Sequence, residues 1–78
     1  MLIAKLLSNE NGICRYSYKL FTNSASGIVR YDYINKVKNV EQLAEHDDLN
    51  SEYSRWRIYS AVEDSIENLP EDIVFVSH

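Results

Sequence analysis

The chain has 78 residues, an apolar fraction of 45% and a net charge of −4. This length predicts one compact domain over residues 1–78, because domains rarely fall much below about 50 residues. The single cysteine, Cys14, excludes an internal disulfide and therefore a disulfide-stabilised secreted scaffold. The sequence has neither a signal-peptide pattern nor an apolar run near the ~18 residues of a membrane-spanning helix, so we expect a cytoplasmic protein.

The first part of the chain predicts three strands. Residues 2–7 form an apolar run, and Asn11-Gly12 after it is a hairpin signal because both residues tolerate positive φ. Residues 13–21 and 28–34 each alternate between apolar and polar side chains. A turn centred on Ser24-Ala25 would pair Tyr18 with Tyr31. One sheet face then carries four tyrosines, namely Tyr16, Tyr18, Tyr31 and Tyr33.

The middle of the chain predicts helix. Asn39 is a suitable N-cap for a short helix, and Asp48 or Ser51 could cap a second, longer one. The long helix has an apolar stripe at spacings of three and four and ends before Pro70. The members of this stripe are Leu49, Tyr53, Trp56, Tyr59, Val62, Ile66 and Leu69.

Residues 73–76 are β-branched and aromatic and predict a final strand. The predicted fold is α+β: a mostly antiparallel four-stranded sheet, β-β-β-α-β in order 3-2-1-4, with the long helix covering the tyrosine face. After three antiparallel strands, the helical crossover would return the last strand parallel to the first.

No motif for catalysis, metal binding or cofactor binding is recognisable. We expect Cys14 to be a buried apolar residue of the tyrosine face rather than an activated nucleophile. Gly12 and Gly27 are the only glycines and cannot build a phosphate-binding loop. The run from Asp48 resembles the start of a calcium loop, but Tyr53 and Tyr59 occupy the positions that need glycine and glutamate. We therefore expect no enzyme, no metal and no cofactor.

The charge is unevenly distributed, at +3 over residues 1–37 and −7 over residues 38–78. Glu41 and Glu45 are four residues apart, as are Glu63 and Glu67, and like charges at this spacing destabilise a helix. This arrangement favours an acidic helical face that binds a basic protein surface. The predicted partner-binding residues are Glu41, Glu45, Asp48, Glu63, Asp64 and Glu67.

The predicted opposite face of the sheet offers an alternative partner, nucleic acid. Arg15, Lys19 and Arg30 could contact phosphates. The tyrosines alternate onto the other face, so this face offers no aromatic side chain on which bases could stack. The exposed edge of the strand Ile28–Ile34 would also allow a homodimer to form.

Small size, acidity and the absence of catalytic motifs are similar to those of inhibitor proteins from phages and mobile elements and of immunity proteins. This resemblance is one of class and transfers no residue. It implies a non-catalytic protein, an inhibitor or adaptor that binds a macromolecular partner, with a small structural subunit of a larger complex as a further alternative.

Overall fold

A computed structural model describes residues 1–76 of the chain. Five strands and one helix follow one another as β1 (Leu2–Glu10), β2 (Ile13–Lys19), β3 (Gly27–Asp32), β4 (Val37–Gln42), α1 (Trp56–Asp64) and β5 (Asp72–Phe75). The strands form one antiparallel sheet in the order β4-β3-β2-β1-β5. The predicted α+β class with an antiparallel sheet and a covering helix is confirmed.

The additional strand, β4, corrects the predicted strand count and the orientation of the last strand. The short helix predicted after Asn39 is wrong, since residues 37–42 pair antiparallel with β3. Each further antiparallel strand reverses the chain direction, so α1 starts from the opposite end of the sheet to that predicted. The last strand does lie beside β1, but it runs antiparallel rather than parallel to it.

The turn before β4 explains why the strand forms. Asp32 accepts hydrogen bonds from the backbone N–H groups of Ile34 and Asn35, and Lys36 adopts a φ of 60°. An aspartate that bonds to the backbone just after it favours a turn over a helix. The chain therefore folds back, and Val37 and Val40 enter a strand, the conformation that β-branched residues favour.

The two predicted hairpins form, one with a different register. Asn11 and Gly12 have φ values of 54° and 80°, which confirms the turn between β1 and β2. In the second hairpin Tyr18 lies opposite Gly27 rather than Tyr31. The turn is closed earlier than predicted, because the Ser24 side chain and backbone both bond to Phe21. The shift is an even number of residues, so each side chain keeps its predicted face.

The core lies between the tyrosine face of the sheet and α1. Tyr16, Tyr18 and Tyr31 are buried as predicted, whereas Tyr33 is only partly buried. The α1 side chains that pack on this face are Ile58, Tyr59 and Val62. Cys14 is also buried there, which confirms its predicted place in the core.

Helix α1 is shorter than the helix predicted from the apolar stripe. Only Tyr59 and Val62 of that stripe are buried on α1, and Leu49, Tyr53 and Ile66 are exposed outside it. Before the helix, hydrogen bonds between side-chain oxygens and nearby backbone N–H groups stabilise turns. The Asp48 N–H donates to Asp47 Oδ1, the Asn50 N–H to Asp48 Oδ1 and the Tyr53 N–H to Ser51 Oγ. Such bonds compete with helix formation, so α1 begins only at Trp56.

Candidate functional site

One end of the sheet carries a groove whose lining is rich in exposed aromatic side chains. We call it the aromatic groove. Its volume is about 540 Å³, within the range of ligand-binding clefts. Tyr53 is 84% exposed, Phe21 54% and Trp56 43%. The lining residues are Met1, Leu2, Leu20, Phe21, His46, Tyr53, Ser54, Trp56, Arg57 and Phe75.

Three parts of the fold meet at this groove. Phe21 follows β2 at the start of the turn to β3, and Trp56 and Arg57 form the first turn of α1. The Phe21 and His46 rings are in edge-to-face contact, with centroids 5.3 Å apart. Trp56 is the first residue of α1 and keeps its side chain 43% exposed at this end of the sheet.

Arg57 joins the helix to the last strand. Its guanidinium carbon lies 4.4 Å from the centroid of the Trp56 ring and 3.3 Å from that of the Phe75 ring. A guanidinium stacked on aromatic rings keeps its N–H edges available to other groups. Among the described residues, Arg57 forms no salt bridge, and the lining contains no carboxylate. The groove is therefore lined mainly by aromatic side chains and has a cationic wall.

A buried ion pair fixes the irregular segment that brings His46 and Tyr53 to the groove. Arg55 Nη1 donates to Asp47 Oδ2 at 2.7 Å, and the two side chains are only 3% and 1% exposed. The Tyr18 hydroxyl donates to the same Asp47 oxygen at 2.5 Å and accepts from the Ala44 N–H at 3.2 Å. This network joins the segment between β4 and α1 to the centre of the sheet.

The protonation state of Asp47 follows from this setting. Burial opposes ionisation of the carboxyl, but the hydrogen bonds from Tyr18 and Arg55 outweigh it and lower the pKa of Asp47 below its ordinary value. Burial also raises the pKa of Tyr18 to about 12, so its hydroxyl stays protonated and donates. Asp47 is therefore a charged acceptor held by two donors.

The predicted acidic residues do not share one helical face. Glu41 lies in β4, on the sheet face opposite the helix. Its two carboxylate oxygens accept hydrogen bonds from Arg15 Nε and Nη2, at 3.0 Å each. Glu63 lies in α1 and accepts from the Tyr31 hydroxyl at 2.5 Å and from Lys36. The two carboxylates are therefore on opposite sides of the sheet. Their bonds to Arg15 and Lys36 lower the pKa of Glu41 and of Glu63, respectively.

The other four predicted acids lie in two places. Glu45 accepts from the Ala25 N–H, and Asp48 accepts from the Asn50 N–H, both in the segment before α1. Asp64 is the last residue of α1, and Glu67 lies just beyond it. Among the described residues, these last two carboxylates form no ion pair. Glu67 lies beside the exposed Glu71, and with Asp64 they form an acidic end of the molecule whose residues do not line the groove.

The predicted basic face does lie together on the side of the sheet away from the helix. Arg15 is directly opposite Arg30 in the β2–β3 pairing. Arg15 is paired with Glu41, so its charge is balanced within the chain, whereas Lys19 donates only to the neutral Thr22 carbonyl at 3.3 Å. The alternative assignment to nucleic acid stays a prediction.

Sequence reasoning missed the aromatic groove. Trp56 and Tyr53 match the spacing of a buried helical stripe, which conceals their exposure. Phe21 ends the alternating run of residues 13–21, which predicts a strand residue. The available signal was the density of polar, turn-forming residues between Asp47 and Ser51, which shortens the helix and leaves the aromatic residues before it outside the core.

Burial raises the pKa of the Cys14 thiol to about 11, so at neutral pH it is protonated. Within residues 1–76, no three His, Cys, Asp or Glu side chains are grouped so as to hold a metal ion. None of the described helical segments is both long and apolar enough to span a membrane. No protein-family model, curated protein or solved structure matches this chain.

Proposed function

We propose that the chain is a non-catalytic inhibitor or adaptor that binds a protein partner, and that the aromatic groove is its main contact surface. The observation that carries this proposal is the exposure of Phe21, Tyr53 and Trp56 around one groove. Contiguous apolar patches of this kind mark interaction sites on small proteins.

The composition of the groove supports a protein partner. Tryptophan, tyrosine and arginine are the residues most enriched among those that dominate binding energy, and all three line this groove. Met1 and the two phenylalanines add residue types that are enriched at interface cores. The Asp47–Arg55 pair holds one wall of the groove in place, so less conformational entropy is lost on binding.

The proposal is tested by purifying binding partners from the native host with the wild-type chain and two variants, followed by quantitative mass spectrometry. Trp56→Ala removes a large exposed side chain that lines the groove, and Leu49→Ala removes an exposed apolar side chain that does not line it. We expect Trp56→Ala to lose the partner and Leu49→Ala to retain it. Equal recovery with both variants, each with wild-type thermal stability, would refute the groove assignment.

The acidic end supports a second candidate, electrostatic docking on a basic protein surface. Asp64 and Glu67 have no ion-pair partner among residues 1–76 and lie at the C-terminal end of α1. Unpaired carboxylates near a helix C-terminus are unfavourable for the helix itself, since the helix dipole is negative there. A function in binding would account for their presence.

The two candidates differ in their response to salt and to charge reversal. Docking through the acidic end predicts an association rate that falls steeply with ionic strength and a loss of binding in the Asp64→Lys/Glu67→Lys variant. Docking through the groove predicts a weak dependence on salt. Glu63 is unsuitable for this test, because its reversal would also break the contacts with Tyr31 and Lys36.

A further inference from the structure

The two edges of the sheet differ in how they are protected. The outer strand β4 contains Lys38 and Glu41 and has a bulge beside its pairing with Ile28 and Val29. Charges and bulges are the usual devices that prevent an edge strand from pairing with another chain. At the other edge, β5 and the next residue read Asp72-Ile73-Val74-Phe75-Val76, with four consecutive apolar residues and neither Lys nor Pro.

The backbone of β5 presents hydrogen-bonding groups to solvent. The Leu6 N–H donates to the Glu71 carbonyl, so Glu71 bonds towards β1. In an antiparallel ladder the bonding direction alternates, so Asp72 and Val74 direct their N–H and C=O groups away from the sheet. If the strand is extended by one residue on pairing, Val76 takes the same direction. Val74 is 67% exposed and lies on the sheet face opposite Ile73 and Phe75, which pack against the core.

A second copy of the chain fits this edge by two-fold symmetry. With a two-fold axis perpendicular to the sheet, Val74 lies opposite Val74 of the other copy, and Asp72 lies opposite Val76. All three outward-bonding residues then pair, which gives six main-chain hydrogen bonds. Side chains on each face of one copy meet side chains on the same face of the other copy. The two Asp72 carboxylates lie at opposite ends of the ladder.

The same register brings complementary charges together. Glu71 continues the alternation of Ile73 and Phe75 onto the side of the sheet that α1 covers. In the pairing it becomes a diagonal neighbour of Phe75 of the second copy, within reach of a long side chain. Arg57 lies over that Phe75 ring and has no carboxylate partner among the described residues of its own chain. Each copy thus supplies one glutamate to the arginine of the other.

We propose that β5 is the homodimerisation edge of this protein, with Val74 on the two-fold axis and reciprocal Glu71–Arg57 contacts that produce a continuous ten-stranded sheet. A four-residue strand buries less area than the ~1,200 Å² of the smallest stable interfaces. The dimer is therefore concentration-dependent. This proposal does not rest on the proposed function, although Arg57 and Phe75 also line the aromatic groove.

The position of the axis is tested by disulfide trapping. Paired residues of the kind formed by Val74 have Cα atoms about 5.5 Å apart, which a disulfide can bridge. Val74→Cys is expected to give a covalent dimer under mild oxidation, and Asn39→Cys, an exposed control position on β4, is expected to stay monomeric. Native Cys14 is buried and does not interfere.

Sedimentation equilibrium of the wild-type chain gives the dimer Kd, and a charge swap tests the contact. Arg57→Glu and Glu71→Arg are each expected to raise this Kd by about fivefold, and the double variant to restore it. A chain that is monomeric from micromolar to millimolar concentration would overturn the proposal. So would a dimer whose Val74→Cys variant does not cross-link, a double variant without recovery, or an edge whose amides become protected only when another protein binds.

Discussion

Replacement of Asp47 by alanine is expected to be the most damaging single change in the segment that builds the groove. The carboxylate accepts from Arg55 at 2.7 Å and from Tyr18 at 2.5 Å, and its second oxygen accepts from the Asp48 N–H at 2.8 Å. Asp47→Ala removes all three bonds. It leaves the Arg55 guanidinium, a charge that is 3% exposed, without its counter-ion.

The cost can be estimated from the burial of the pair. Removal of one member of a buried ion pair costs about 3–5 kcal/mol, because the remaining charge stays desolvated. A chain of this length has a total stability of roughly 4–12 kcal/mol. Each lost kcal/mol lowers Tm by about 4–8 °C in a domain of this size, so a fall of at least about 12 °C is expected.

The assay is thermal unfolding followed by circular dichroism, with Glu52→Ala as the control. Glu52 pairs with Lys38 at 3.1 Å, but both side chains are well exposed, and such pairs contribute at most about 1 kcal/mol. A Tm for Asp47→Ala that lies within the range of Glu52→Ala would refute the conclusion that the buried pair holds this segment.

Three further predictions concern acid stability, thiol reactivity and the closest backbone contact. The folded-state pKa of Asp47 is below its ordinary value of 3.8, so the carboxylate stabilises the fold above pH 3.8 and loses this effect as the pH falls through its folded-state pKa. The wild-type chain should therefore lose more unfolding free energy between about pH 5 and pH 2 than the Asp47→Asn variant does. Burial raises the pKa of Cys14 to about 11, so a thiol reagent at about pH 8 should react only after denaturant unfolds the chain, and rapid reaction with the native protein would contradict this burial. A Cβ atom at Gly27 would lie 2.4 Å from both Ala44 N and Gln42 O, so Gly27→Ala should lower the free energy of unfolding by about 1–3 kcal/mol in urea titrations, and an unchanged midpoint would contradict this packing.

The sheet could be predicted largely from local pattern. Alternation with a period of two placed Tyr16, Tyr18 and Tyr31 on the buried face, and it did so despite the wrong hairpin register, because the error was an even number of residues. The Asn11-Gly12 turn was also predictable, since the two residues that tolerate positive φ adopt it.

The error in the middle of the chain arose where two patterns compete. Val37 and Val40 favour a strand, but Asn39 and the acids after it resemble a helix start. The hydrogen bonds of Asp32 to the turn before β4 decide in favour of the strand. Once β4 forms, it covers the outer edge of β3, so the edge of Ile28–Ile34 predicted to form a homodimer is not open to a second copy.

The candidate site depended on tertiary structure more than the fold did. Glu41 and Glu63 looked alike in sequence, yet each lies on a different side of the sheet beside a different cation. The aromatic groove joins Phe21, Trp56 and Phe75 from three distant parts of the chain. No local spacing relates these positions, so they could be brought together only by the sheet order.

Trp56 is the single tryptophan of the chain and lines the groove, so its fluorescence directly tests the central claim that a protein partner binds there. Titration with the purified partner should shift the emission to shorter wavelength as the indole ring leaves water. The Trp56→Ala variant, monitored by calorimetry, should bind roughly 30-fold more weakly, as expected for a residue that dominates the interface. A saturable complex with unchanged Trp56 emission and an unchanged Kd in the variant would contradict the account.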